Sequence, residues 1–175
     1  MSGIRQMLIK ISNLTAGEYH FNFDERIEKI DLGDPFIGNF KTFITLNKLH
    51  NQLILDSHSR FKAQFECDRC GTEFTRELES EYEMVYLMNE EPQDTEAINI
   101  TYLSNDAVNI DIKNDLREFA ILSIPMKKLC KEDCKGLCYR CGGDLNKNEC
   151  TCTSSEIDPR WQKLIDLTSN LKNNK

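Results

Sequence analysis

Eight cysteines constrain this chain more than any other feature, because they fall into four close pairs: Cys67 and Cys70, Cys130 and Cys134, Cys138 and Cys141, Cys150 and Cys152. A closed tetrahedral zinc site takes four ligands, so the six cysteines between Leu129 and Cys152 fit neither one site nor two. Cys67 and Cys70, in ECDRCGTEF, bring the count to eight, enough for two closed tetrahedra. A Cys-x-x-Cys-Gly turn between strands is a metal knuckle. Its first cysteine ends a strand, the turn brings the second thiolate to the same ion, and Gly71 supplies the positive φ that leads the chain away. Cys138-Tyr139-Arg140-Cys141-Gly142 repeats the arrangement.

Two groupings satisfy the count. One places Cys67, Cys70, Cys130 and Cys134 around one ion and Cys138, Cys141, Cys150 and Cys152 around the other. The rival gathers Cys130, Cys134, Cys138 and Cys141, leaving Cys67, Cys70, Cys150 and Cys152. The first is preferred, since its second set is local and its first set ties the cysteine-rich tail to the sheet. Coordination chemistry limits ligand number and geometry, not connectivity.

Competing uses of the thiols fit less well. Disulfides need an oxidising compartment, and MSGIRQMLIKISNL has no apolar run of signal-peptide length. No stretch approaches 18 uninterrupted apolar residues, so neither a membrane span nor export is expected, and the chain reads as cytoplasmic. Ferredoxin spacings are missing. A redox Cys-x-x-Cys sits at a helix start, whereas Cys67 closes a strand pattern. Four cysteines per ion leave no position for water, and His20, His50 and His58 stand in no motif, so no catalytic residue, small-molecule substrate or enzyme activity is expected.

The first half alternates with period two. Tyr19, Phe21 and Phe23 alternate with Glu18, His20, Asn22 and Asp24; Phe61, Ala63, Phe65 and Cys67 alternate with Arg60, Lys62, Gln64 and Glu66. Phe74, Leu78, Tyr82 and Met84 share one parity, while Glu73, Glu77, Glu79, Glu81 and Glu83 take the other. This pattern predicts an antiparallel sheet with one wet face. Runs at Met7 to Leu14 and Phe40 to Leu55 add strands, with a turn near His50-Asn51-Gln52, and Asn89 to Glu96 reads as a solvated acidic loop. Ile112, Leu116, Phe119, Ala120 and Ser123 share a helical stripe behind Asp111 as N-cap, and Pro125 ends it. Asp158, Pro159, Trp161, Leu164, Ile165 and Leu171 predict a second helix docking on the sheet.

The expected fold is therefore α+β: an N-terminal antiparallel β-sheet, barrel-like or sandwich-like, with a crossing helix, a cysteine-rich zinc-binding segment and a C-terminal helix. Residues 1–125 form the mainly antiparallel β domain, with the knuckle at 67–71 and the helix at about 112–123. Residues 126–175 form the zinc segment, its helix starting at about 159.

Net charge is −7, and eight thiolates with two zinc ions take it to −11. Non-specific nucleic-acid binding needs the opposite sign, so any RNA contact must be local or made through a protein. From Met126 to Lys147 the chain carries Lys127, Lys128, Lys131, Lys135, Arg140 and Lys147 against Glu132, Asp133 and Asp144, a local excess of +3. Those cations offset Zn(Cys)₄ charge, or they make a surface for RNA phosphates on which Tyr139 stacks and which Arg69 joins from the first knuckle.

CDRCGTEFTRELE, IPMKKLCKEDCKGLCYRCGGDLNKNECTC and DPRWQKL together resemble the YceD family, the large ribosomal RNA subunit accumulation proteins, from about Phe65 to Leu167. The resemblance implies a non-enzymatic factor for accumulation of large-subunit ribosomal RNA, with ribosomal RNA, an assembly intermediate or a ribosomal protein as partner. It carries the family's metal-type cysteines onto all eight positions and assigns no RNA-contacting residue. The rival functions are a zinc-ribbon regulator contacting DNA or a polymerase, and a thiol redox-sensing protein.

Overall fold

Strand alternation in the first half becomes one long sheet in the computed structural model, which describes residues 7–88, 99–104, 106–147, 150–152 and 161. The chain divides into two compact units, Met1–Glu132 and Asp133–Lys175. The first holds β1 (Leu8–Lys10), β2 (Gly17–Arg26), a 3-10 turn (Ile27–Ile30), β3 (Phe36–Lys48), β4 (Gln52–Glu66), β5 (Glu73–Met88), β6 (Ile100–Leu103), β7 (Asn109–Asp111) and α1 (Lys113–Leu122). The described residues are thus mostly β-sheet with one α-helix.

Strands β2 to β5 form an antiparallel meander, and β6 lies parallel to β5 at the far edge. The parallel strand departs from the all-antiparallel expectation. A parallel return needs a long connection, and residues 89–99 supply that length. Of the barrel-like or sandwich-like forms expected, the described strands close no barrel: β2 and β6 are the two edges of an open sheet, while β1 pairs with β7 in a separate small sheet. The loop at Asn89 to Glu96 lies outside the described residues.

One face of the sheet is apolar. Phe40, Ile44 and Leu46 of β3, Leu53, Leu55 and Phe61 of β4, and Met84 and Tyr86 of β5 are buried there, with Ile9 and Ile110 of the small sheet in the same core. Thr42, Ser59 and Ser80 stand in register across the three central strands and are buried among them. The Thr42 and Ser59 hydroxyls hydrogen-bond each other, as a buried polar group requires. The opposite face is wet. Glu77, Glu79, Glu81 and Glu83 line β5, with Arg60 bonded to Glu79 at 3.0 Å and His58 to Glu81 at 2.8 Å.

Helix α1 covers the apolar face, with the Phe119 and Tyr82 rings stacked at 4.4 Å. Leu116 and Ala120 are its buried stripe. The cap residue is Ile112, one place after the Asp111 expected from sequence, yet Asp111 still accepts a hydrogen bond from the Lys113 N–H at 3.1 Å. Ser123 closes the helix, its N–H bonding to the Phe119 and Ala120 carbonyls.

The second unit contains a small hairpin. Leu137 bridges Asp144, the Leu145 N–H bonds to the Gly136 carbonyl at 3.0 Å, and the Cys138 N–H bonds to the Gly143 carbonyl at 2.8 Å. The helix expected from about residue 159 lies outside the described residues except for Trp161, which is 58% exposed. Among the described residues, no helix is long and apolar enough to cross a membrane.

Leu116 is 1% exposed. Leu116→Ala should therefore destabilise the first unit by about 2–5 kcal/mol, read as a lower urea midpoint for loss of sheet signal.

Candidate metal centres

The two Cys-x-x-Cys-Gly turns close in the same way. In the first, the Cys67 N–H bonds to the Thr72 carbonyl at 3.0 Å and the Gly71 N–H to the Cys67 carbonyl at 2.9 Å. In the second, the Cys138 N–H bonds to the Gly143 carbonyl and the Gly142 N–H to the Cys138 carbonyl, both at 2.8 Å. Gly71 has φ 68° and Gly142 φ 71°, a conformation that costs a residue with a Cβ about 1–2 kcal/mol. The sequence repeat is therefore a repeat of backbone geometry.

The sulfurs gather into two groups, Cys67, Cys70, Cys130 and Cys134, and Cys138, Cys141, Cys150 and Cys152, each with its ligand atoms within 4.8 Å of one another. All eight are free cysteines. Cys70 and Cys130 lie 3.7 Å apart, Cys138 and Cys150 3.3 Å, and Cys141 and Cys150 3.5 Å. A disulfide needs about 2.05 Å. A tetrahedral ion with metal–sulfur bonds of about 2.3 Å has sulfur–sulfur edges of about 3.8 Å, so each group fits one ion.

Cys130 is remote in sequence from the first knuckle and reaches it through two clasps. The Asp68 N–H donates to the Lys128 carbonyl at 2.8 Å, and the Lys128 N–H donates to the Asp68 carboxylate at 2.7 Å. Arg76 Nη2 donates to the Leu129 carbonyl at 2.8 Å while its guanidinium lies over Phe74. Neither Asp68 nor Arg76 stood among the sequence-derived site residues. Arg76 had left a signal: it shares the inward parity of Phe74 and Leu78, where a cation needs a partner.

The groups differ in exposure. Cys67, Cys70 and Cys134 are buried and Cys130 half-buried, whereas in the second group only Cys138 is buried, Cys150 and Cys152 are half-buried and Cys141 is exposed. Burial opposes ionisation of Cys67, but backbone N–H groups of Cys130, Arg69 and Cys70 outweigh it and lower its pKa to about 6. The Cys141 and Arg140 N–H groups bring Cys138 to about 6. Against the helpful N–H of Cys152, the sulfurs of Cys152, Cys138 and Cys141 push Cys150 up to about 12. One thiolate in a group thus opposes a second, and a divalent cation removes that conflict.

The eight residues expected from sequence to contact RNA divide between the units. Arg69, Lys127, Lys128 and Lys131 belong to the first; Lys135, Tyr139, Arg140 and Lys147 belong to the second. All but the half-buried Lys128 are exposed, and the Lys128 ammonium lies over the Phe65 ring at 5.9 Å. Lys147 pairs with Asp144 at 3.5 Å. Tyr139 is 80% exposed, with the Arg140 guanidinium 5.8 Å from its ring centroid.

Residues 55–168, more than half of the chain, match the family described as large ribosomal RNA subunit accumulation protein YceD. A chloroplastic "Large ribosomal RNA subunit accumulation protein YCED homolog 1" of Arabidopsis thaliana is 35% identical over 63 residues, 36% of this chain and 20% of that protein. The Zea mays protein of the same name is 43% identical over 49 residues, 27% of this chain and 17% of its own length. An uncharacterized protein of Mycobacterium tuberculosis is 36% identical over 58 residues, 33% of this chain and 28% of that one. The matches therefore span less than a third of each relative. No solved structure matches.

Cys67 and Cys138 have pKa values lowered to about 6, so the stability their thiolates confer on the metal-free chain is present above the unfolded thiol pKa and is lost as pH falls through about 6. Protons compete with metal for the same sulfurs. Apparent metal affinity, measured by chelator competition, should drop by more than about tenfold per pH unit below that point.

Proposed function

Because this chain belongs to the YceD family, the large ribosomal RNA subunit accumulation proteins, we propose that it supports accumulation of the large-subunit ribosomal RNA as a zinc-holding binding factor, not as an enzyme. Family membership is the observation that carries this reading. The cysteine groups add a structural role: Cys67, Cys70, Cys130 and Cys134 hold one zinc ion, and Cys138, Cys141, Cys150 and Cys152 hold another. All-sulfur sets suit zinc, and bound zinc supplies cross-links that keep the two knuckles shaped.

The partner is ribosomal RNA within a large-subunit assembly intermediate, met in the cytoplasm, with a ribosomal protein as the other possible contact. Tyr139 supports direct RNA contact, since an exposed aromatic ring beside a guanidinium offers a base both stacking and charge. Arg69, Lys127 and Lys131 are exposed beside the first knuckle and offer charge to phosphates. Lys135 and Lys147 do the same in the second unit.

Purified protein should contain two zinc ions per chain by elemental analysis. A strong chelator should remove the ion at the more exposed Cys138–Cys152 group before the ion at the more buried group. Depleting the protein in cells should lower large-subunit relative to small-subunit ribosomal RNA, and crosslinking should recover ribosomal RNA. An unchanged ratio, or recovery of promoter DNA in place of ribosomal RNA, would sink the reading.

A further inference from the structure

The hairpin of the second unit has a cysteine ligand at each end. At its tip stand Cys138 and Cys141, ligands of the second group. At its base stands Cys134, a ligand of the first. Opposite Cys134, Asn146 makes contacts of four kinds. Its Nδ2 donates to the Cys134 sulfur at 3.4 Å and to Asp144 Oδ1 at 2.9 Å. Its Oδ1 accepts the Lys135 N–H at 2.9 Å, and its own N–H donates to Asp144 Oδ1 at 2.9 Å. Between base and tip, the Leu137–Asp144 bridge and the Leu145-to-Gly136 bond hold the arms together.

We propose that this hairpin couples the two metal centres energetically, with Asn146 as the positioning residue that holds the Cys134 sulfur ready for the first centre. The physical reason is preorganisation. Asn146 lies four residues before Cys150, so closing the second tetrahedron through Cys150 and Cys152 fixes the arm that carries the amide. An arm already fixed costs nothing further to order when Cys134 takes its ion, and a hydrogen bond to a coordinating sulfur orients it and steadies its charge. Linkage makes the effect reciprocal: each ion tightens the other by the same factor. The inference rests on the metal reading of the cysteine groups and is independent of any role at the ribosome.

Cadmium-113 NMR of the full chain gives each four-sulfur centre its own resonance, and titration with a chelator reads each affinity separately. Asn146→Ala should weaken the first centre about tenfold and move its resonance, while the sheet's far-UV circular dichroism stays unchanged. Cys150→Ser with Cys152→Ser, which disables the second centre, should weaken the first by a similar factor. The triple variant should be no weaker than about the worse of the two, because both changes remove one shared contact. A first centre that ignores loss of the second, or two effects that multiply in full, would overturn the coupling. A wild-type chain that takes up no cadmium would instead overturn the metal reading beneath it.

Discussion

The exchange of hydrogen bonds between Asp68 and Lys128, reinforced by Arg76 on the Leu129 carbonyl, is the constraint on which the first centre depends. Cys70 and Cys130 are 60 residues apart in the chain, and an unstructured loop of that length pays a closure cost that two sulfurs alone would have to meet. The intervening chain removes that cost in stages. Strand β5 runs beside β4 along the sheet, and α1 packs on the sheet's apolar face through Phe119 and Tyr82. The clasps then align the segment before Cys130, so that the sulfur arrives on a backbone already held at three hydrogen bonds.

The second knuckle has the same internal bonds and a different support. The first is an extension of the long β4–β5 pairing, which continues without interruption to Glu66 and Glu73. The second is supported by a short hairpin, with few buried side chains among the described residues of its unit, and its sulfurs are more open to solvent. Two sites of one chemistry can therefore differ in lability purely through what stands behind them. The lowered thiols Cys67 and Cys138 occupy equivalent places, each the first cysteine of its knuckle, because the turn aims backbone N–H groups at that sulfur.

Much of this was legible in the sequence, for reasons that can be assigned. Period-two alternation located β2, β4 and β5 because each strand has one dry and one wet face, and the spacing of Ile112, Leu116 and Ala120 located α1. The count of eight cysteines led from the tail to Cys67 because coordination number is fixed chemistry. What escaped was non-local. The parallel placement of β6 depends on a long connection whose path has no local code. The open sheet depends on how the edges meet, which alternation does not address. Asp68 and Asn146 are polar residues in turns, a setting where such residues are ordinary, and only their partners distinguish them.

The row of glutamates on the wet face of β5 has a consequence for approach. Glu77, Glu79, Glu81 and Glu83 lie on alternate positions of one strand, and only some of them meet a basic neighbour across the sheet. Within the first unit, one surface therefore repels a polyanion while the residues beside the knuckle attract it. Such a unit has a polarity that acts beyond contact distance, over roughly the 8–10 Å Debye length of physiological salt. A polyanion nearing this unit from the sheet side would feel that bias before contact, so its encounters would be weighted by orientation.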